Sequence, residues 1–277
     1  MPEFGETIKK LRLDRAISQE NLTGDLFDRS MLSKIESGKS FPSRADASVL
    51  IHRLGASLEE FEYIERGYLP TPKSKILYQL FNINYSVETE KIKSILNECL
   101  KIDKDDDIKR IILVLRAQLL LNEQNGFAKA KRIVQPIWFD YLSNIKIPTI
   151  TDIYLLNFIA YAFDDETNKA IIAKIIFTID SYYPFLQSLK CSSLINKASL
   201  QLDKHNFTDA KATLLTAQTL AENLAQYHKV LLCKSEIALC DKDKKAAVYY
   251  ADLLEKIGAK EIALKLQAEI REFNYLF

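Results

Sequence analysis

The sequence predicts an all-α fold in two parts: a head of five short helices, then a longer array of paired helices. Three observations carry that prediction. Glycine and proline number only seven each in 277 residues, so few positions break a helix and long helices are favoured over a strand-rich fold. Leu69-Pro70-Thr71-Pro72 places two prolines two residues apart, which biases the local chain to extended geometry and marks a boundary. After it, apolar stretches ending in polar turns recur at a nearly fixed interval.

Within the head, Phe4, Ile8 and Leu11 fall on one face of a first helix over 4–14, with Lys9, Lys10 and Arg12 elsewhere on it. Ser18 is a good N-cap for a second short helix, with Glu20 and Asn21 in its first turn. A turn around Asp25-Leu26-Phe27 leads to a third helix, from Asp28 or Arg29 to Glu36. Asp28 is its cap candidate, and Gly38 stands where a left-handed residue ends a helix. Pro42 and Ser43 start a fourth helix with Val49, Leu50 and Leu54 inward, and Gly55 ends it. Ser57 caps a fifth, expected from Leu58 to Tyr68. The expected organisation is therefore a head over 1–68, a proline linker over 69–73, and a repeat region over 74–277.

The repeat is visible as Gly126-Phe127-Ala128-Lys129-Ala130, Glu166-Thr167-Asn168-Lys169-Ala170, Asn206-Phe207-Thr208-Asp209-Ala210 and Asp243-Lys244-Lys245-Ala246-Ala247. Ala130, Ala170 and Ala210 are 40 apart, and Ala247 follows after 37. A small residue there lets two antiparallel helices approach closely. The period exceeds the 34 or so of a standard tetratricopeptide repeat, so these are degenerate repeats of that type, about five in number. Units of this kind stack into a curved solenoid with a concave face.

The most specific signal is Ser18-Gln19-Glu20-Asn21-Leu22, followed by Ser30-Met31-Leu32-Ser33-Lys34-Ile35-Glu36-Ser37-Gly38-Lys39-Ser40-Phe41-Pro42. It resembles the lambda-repressor-like (XRE-type) helix-turn-helix, over about 65 residues in the same order and spacing. Phe4-Gly5-Glu6-Thr7-Ile8-Lys9-Lys10-Leu11-Arg12, Arg29 to Glu36, and Ser57-Leu58-Glu59-Glu60-Phe61 further resemble the Rgg (MutR-like) regulators of Gram-positive bacteria. That resemblance implies a homodimeric transcription regulator, often controlled by a short secreted peptide pheromone, as in quorum sensing. Thr23 stands where the wider motif has alanine; its hydroxyl can bond back to a carbonyl.

In such a motif the third helix lies in the major groove. Arg29, Ser30, Ser33 and Lys34 are then expected to meet base edges or phosphates. Gln19, Arg12, Arg15 and Lys39 are expected on the phosphate backbone, whereas Glu36 is read as structural. Residues 1–44 hold eight Lys or Arg and seven Asp or Glu. Non-specific affinity should therefore be modest and salt-sensitive. A two-fold dimer would join two half-sites, which predicts a palindromic operator in double-stranded DNA.

In the repeats, Asn157 is a lone amide among apolar neighbours. Burying it without a partner would cost on the order of 1–3 kcal/mol. It either makes a structural bond or faces the concave groove and holds a peptide backbone. Arg116, Asn122 and Asn196 sit on the first helices of repeat pairs and share that second reading, for a short hydrophobic peptide. The apolar end, with Phe273, Tyr275, Leu276 and Phe277, is assigned to a dimer interface.

Other classes find little support. Cys99, Cys191, Cys233 and Cys240 form no CxxC, and His52, His205 and His228 are scattered, so neither metal nor cofactor is expected. No nucleophile–base pair or phosphate loop marks an enzyme. Asp103-Lys104-Asp105-Asp106-Asp107 suits the positive start of the next helix. No secretion signal or membrane-length apolar run is visible, so a cytoplasmic protein is expected. Two alternatives remain at this point: a DNA-binding regulator whose repeats only dimerise or bind another protein, and a repeat scaffold without DNA binding.

Overall fold

The computed structural model describes residues 3–83 and 88–272. Those residues are helical with no strand among them. The head comprises α1 (Phe4–Asp14), α2 (Gln19–Thr23), α3 (Arg29–Glu36), α4 (Arg44–Arg53) and α5 (Leu58–Glu65). Four of the five start on a side-chain oxygen that accepts from the third residue on: Ser18 from the Asn21 amide at 3.0 Å, Asp28 from Met31 at 2.8 Å, Ser43 from Asp46 at 3.2 Å and Ser57 from Glu60 at 3.1 Å. Each cap satisfies a helix-end amide that would otherwise need water. Ile8, Leu11, Leu22, Leu32, Leu50, Leu54 and Phe61 close a common core. Met31 is only half-buried, its sulfur 3.9 Å from the Ser40 hydroxyl. Helix α5 is shorter than expected because Gly67 and Tyr68 both take left-handed backbone, at φ 70° and 64°.

Gly5 belongs where it is for a steric reason. A methyl group there would lie 1.9 Å from the Ile35 carbonyl oxygen, so only glycine lets α1 cross α3 this closely.

The chain divides into two units, one ending at Lys75 and one starting at Ile76. Helix α6 (Pro72–Phe81) begins at Pro72, with Thr71 Oγ1 accepting from the Ser74 amide at 3.0 Å. Proline is tolerated in a first helical turn, where its missing N–H costs nothing. The extended connection is accordingly 69–71, shorter than the 69–73 expected.

The second unit continues through α7 (Thr89–Cys99), α8 (Asp106–Leu121), α9 (Phe127–Pro136), α10 (Ile150–Ile159) and α11 (Asp165–Tyr182). It ends with α12 (Gln187–Asp203), α13 (Phe207–Asn223), α14 (Tyr227–Cys240), α15 (Lys244–Lys256) and α16 (Lys260–Glu272). From α11 onward each helix packs against the next, which is the stacking of a solenoid. One core runs through α6 to α11, including Leu80, Ile111, Leu115, Leu156 and Ile175. A second runs through α12 to α16, including Leu214, Ala217, Ala251 and Leu266. After Pro136 the chain winds into a π-helical segment, Ile137–Leu142. Proline cannot supply the next helical amide bond, and a wider turn is one way around that. Asp105 caps α8, accepting from the Asp107 and Ile108 amides at 2.9 and 3.1 Å.

The small-residue alignment needs one correction. Ala130, Ala210 and Ala247 are fully buried, each the fourth residue of the second helix in its pair. Ala170 is exposed. The fourth residue of α11 is Asn168, 4% exposed, whose amide donates to the Ala160 carbonyl at 2.7 Å. The even spacing of 40 is therefore a coincidence at that repeat, and the larger side chain is admitted because its polar end is satisfied. The turns are also made differently from the glycine count. Asn125, His205 and Lys242 all have positive φ, at 62°, 57° and 60°, two residues before a second helix. These three repeat turns are thus built without glycine in that conformation, so the low glycine content did not limit them.

No helix among the described residues is long and apolar enough to cross a membrane. Phe273, Tyr275, Leu276 and Phe277, assigned from sequence to a dimer interface, lie outside the described residues.

Candidate functional site

The head carries a buried polar ladder beneath its third helix. Arg12 donates from Nε and Nη2 to the two carboxylate oxygens of Glu36 at 2.6 and 3.0 Å, and from Nη1 to the Ile17 carbonyl at 3.0 Å. Both residues are buried, at 7% and 6% exposure. Gln19 Nε2 donates to the same carboxylate at 2.8 Å, and Gln19 Oε1 accepts from Arg29 Nε at 3.0 Å. One buried carboxylate thereby fixes the Gln19 amide, and that amide fixes the exposed Arg29 at the start of α3.

Two sequence expectations change here. Arg12 is not displayed to a phosphate: its guanidinium is spent inside the domain, since a buried carboxylate demands a paired donor. The Gln19 side chain is engaged at both ends, so it also positions Arg29. Ser30, Ser33 and Lys34 are exposed on α3, Lys39 is exposed just after it, and Arg15 is exposed at the end of α1. Ser30 donates to Asp28 at 2.6 Å. That hydroxyl, followed by the Met31 amide, holds the Asp28 carboxyl below its ordinary range. Glu36 is structural, as expected, and Thr23 Oγ1 bonds back to the Glu20 carbonyl at 3.1 Å.

Arg53 is a residue that sequence reasoning missed. It donates to the Leu22 carbonyl at 3.1 Å, to the Thr23 carbonyl, and to Asp25 at 2.6 Å. It pins the turn between α2 and α3, which sets the approach of α3. Its partners lie about thirty residues away, so no local pattern announces it.

The second feature is a recess in the repeats that opens to solvent. Its wall is built mainly from the first helices of successive pairs, α8, α10, α12, α14 and α16. Asn157 and Asn196 both line it. Asn157 Oδ1 accepts from Ser193 Oγ at 2.8 Å and from Asn196 Nδ2 at 3.2 Å, and Tyr161 OH donates to Asn196 Oδ1 at 3.2 Å. The lone amide thus has partners and also faces open space. Arg116 and Asn122 do not line the recess. Arg116 points to solvent from α8, where Gln118 takes the inward position, and Asn122 lies at the C-terminal cap of that helix.

The charged wall was not read from sequence. Lys229, 4% exposed, donates to the Ser188 carbonyl and hydroxyl at 2.9 and 3.1 Å, and burial pulls its pKa down. Glu236 is 2% exposed and accepts from Ser199 Oγ at 3.2 Å. Burial first, then neighbouring Glu269, pushes its pKa up to about 8. Lys265 and Glu269 pair at 3.4 Å beside it. A signal was present: Gln118, Asn157, Asn196 and Glu236 recur every 39 or 40 residues, the repeat period itself.

No family profile and no curated sequence matches the chain. Solved structures do match. A transcriptional-regulator structure from Listeria monocytogenes EGD-e aligns with TM-score 0.69 at 15% identity, covering 98% of this chain and 96% of that one. The SHP pheromone receptor Rgg2 of Streptococcus dysgalactiae aligns at 0.63 and 15% identity, over 98% and 99%. ComR of Streptococcus thermophilus, in complex with DNA and its signalling peptide ComS, aligns at 0.62 and 17%, over 98% and 100%. The chain has the fold of the Rgg and ComR regulators along nearly its whole length.

Proposed function

We propose that this protein is a cytoplasmic, dimeric, sequence-specific DNA-binding transcription regulator, controlled by a short peptide held in the repeat recess. It is a binding protein and not an enzyme. The observation that carries the reading is the ladder from Arg12 through Glu36 and Gln19 to Arg29. It spends buried polar groups on fixing one exposed guanidinium at the N-terminal end of α3. That is the end a recognition helix offers to base edges, and a preset guanidinium suits the paired acceptors of guanine. Ser33 and Lys34 extend the same face. The structural likeness to ComR, which is in complex with DNA and a signalling peptide, supports the reading for both sites.

The recess supplies the control. Asn157 and Asn196 offer amides at its wall, suited to a peptide backbone. Apolar Leu189, Ile195 and Leu266 complete it, suited to hydrophobic side chains. A peptide that binds one arrangement of the dimer better shifts the population toward it and changes affinity for a palindromic operator.

The test is selection from random duplex DNA by the purified full chain at moderate salt, with Arg29→Ala in parallel. The wild type should enrich a palindrome. The variant should lose about 1–3 kcal/mol of discrimination at the base pair Arg29 reads. Failure of the wild type to enrich any sequence, with and without a peptide pool, refutes the reading.

A further inference from the structure

Glu236 is not explained by a neutral peptide backbone in the recess. Its Oε2 has no hydrogen-bond partner among the described residues, although the residue is 2% exposed and forms part of the recess wall. A buried polar atom left unpaired carries its full desolvation penalty, and such orphans in a cleft are where a ligand group completes the bonding. The cations nearby are already engaged. Lys265 is held by Glu269, and Lys229 by Ser188. What enters next to Glu236 therefore meets its carboxyl group and the Glu269 carboxylate in one wall.

We infer that the recess recognises its ligand through a cationic ammonium or guanidinium group seated on Glu236, with Glu269 as the second carboxylate. This rests on reading the repeats as ligand-binding, and it names the chemistry of what they bind. Burial holds a proton on Glu236, and a cationic N–H donor beside it would favour loss of that proton and give Oε2 a donor, whereas a ligand carboxylate would add to the negative charge of Glu269. Burial, followed by Glu269, outweighs Lys265 in raising the pKa of Glu236, so a further cation against it would be needed to stabilise its ionised form. The group can come from a lysine or arginine of a peptide, from a peptide N-terminus, or from a small polyamine.

The experiment sorts a random octapeptide library, half of it N-acetylated, on the immobilised full chain and on Glu236→Gln. Glutamine keeps the shape and cannot ionise, and melting of both proteins verifies that the variant folds. Melts with added spermidine form a second arm. The wild type should enrich peptides with lysine, arginine or a free N-terminus, by about tenfold over the variant, the scale of one charge-assisted hydrogen bond. Enrichment without that preference, or retained in full by the variant, overturns the inference and leaves peptide binding standing. If neither protein enriches peptides, peptide control fails. Stabilisation by spermidine of the wild type alone then supports the cation site, and no stabilisation overturns it as well.

Discussion

Removing Arg12 tests whether it holds the head together or holds DNA. In Arg12→Ala the Glu36 carboxylate loses two donors, at 2.6 and 3.0 Å, and keeps only Gln19 at 2.8 Å. The side chains of the pair are 9% and 4% exposed, so water screens little of the loss. Breaking a buried pair by removing one partner typically costs about 3–5 kcal/mol. The lost bond to the Ile17 carbonyl belongs to the same event and adds at most about 1 kcal/mol. The head should therefore be destabilised by roughly 3–5 kcal/mol, with the repeats unaffected. Hydrogen exchange of the full chain reads this directly: amides of Leu22, Leu32 and Ile35 should lose protection while those of α13 do not. Arg15→Ala, at an exposed position, should leave protection unchanged and weaken DNA binding, with the salt slope falling by about 1. If Arg12→Ala instead keeps head protection within about 0.5 kcal/mol, the buried-pair argument fails. A lowered salt slope in that same variant would mark Arg12 as a phosphate contact after all.

Three further outcomes are expected. Asp28→Ala should cost the head about 1 kcal/mol through loss of the cap on Met31, and should lower operator affinity by freeing the start of α3. Chemical denaturation followed in the head and a binding titration measure the two effects, and unchanged values in both would count against the cap. Gly5→Ala forces a methyl group to 1.9 Å from the Ile35 oxygen, so α1 must shift, at a cost of at least 1–3 kcal/mol on the scale of overpacking; a variant as stable as wild type would show that α1 and α3 pack less closely than described. The third concerns pH. Glu236 has an ordinary value of 4.5 and about 8 in the fold, so across that window the folded chain keeps a proton that the unfolded chain has released. Stability must then fall as pH rises from 4.5 to about 8, by up to roughly 5 kcal/mol from this group. Melting Glu236→Gln at pH 5.5 and 8.5 should show a smaller decline than wild type. Equal declines would mean that Glu236 is ionised in the fold.

Much of this protein could be read from short-range pattern. The caps Ser18, Asp28, Ser43 and Ser57 act on amides three residues away, so the residues that form them stand together in the sequence. The same holds for Gly38 and Gly55, which end α3 and α4 at φ 71° and 70°, and for the outward face of α3. The helical-pair architecture also shows, because each unit repeats its own local chemistry.

What the tertiary structure alone decided is where side chains find partners across the fold. Arg12 pairs with Glu36, 24 residues on, and Arg53 with Asp25, 28 residues back; a charged residue reads the same in sequence whether it meets a carboxylate or water. Burial made the same kind of choice in the repeats, taking Asn168 inward and leaving Ala170 out, because a satisfied amide is as admissible at a helix crossing as a methyl group. The recess needed stacking to exist at all. Gln118, Asn157, Asn196 and Glu236 belong to four different helices, and only the packing of one repeat on the next turns a spacing of 39 or 40 into a common wall.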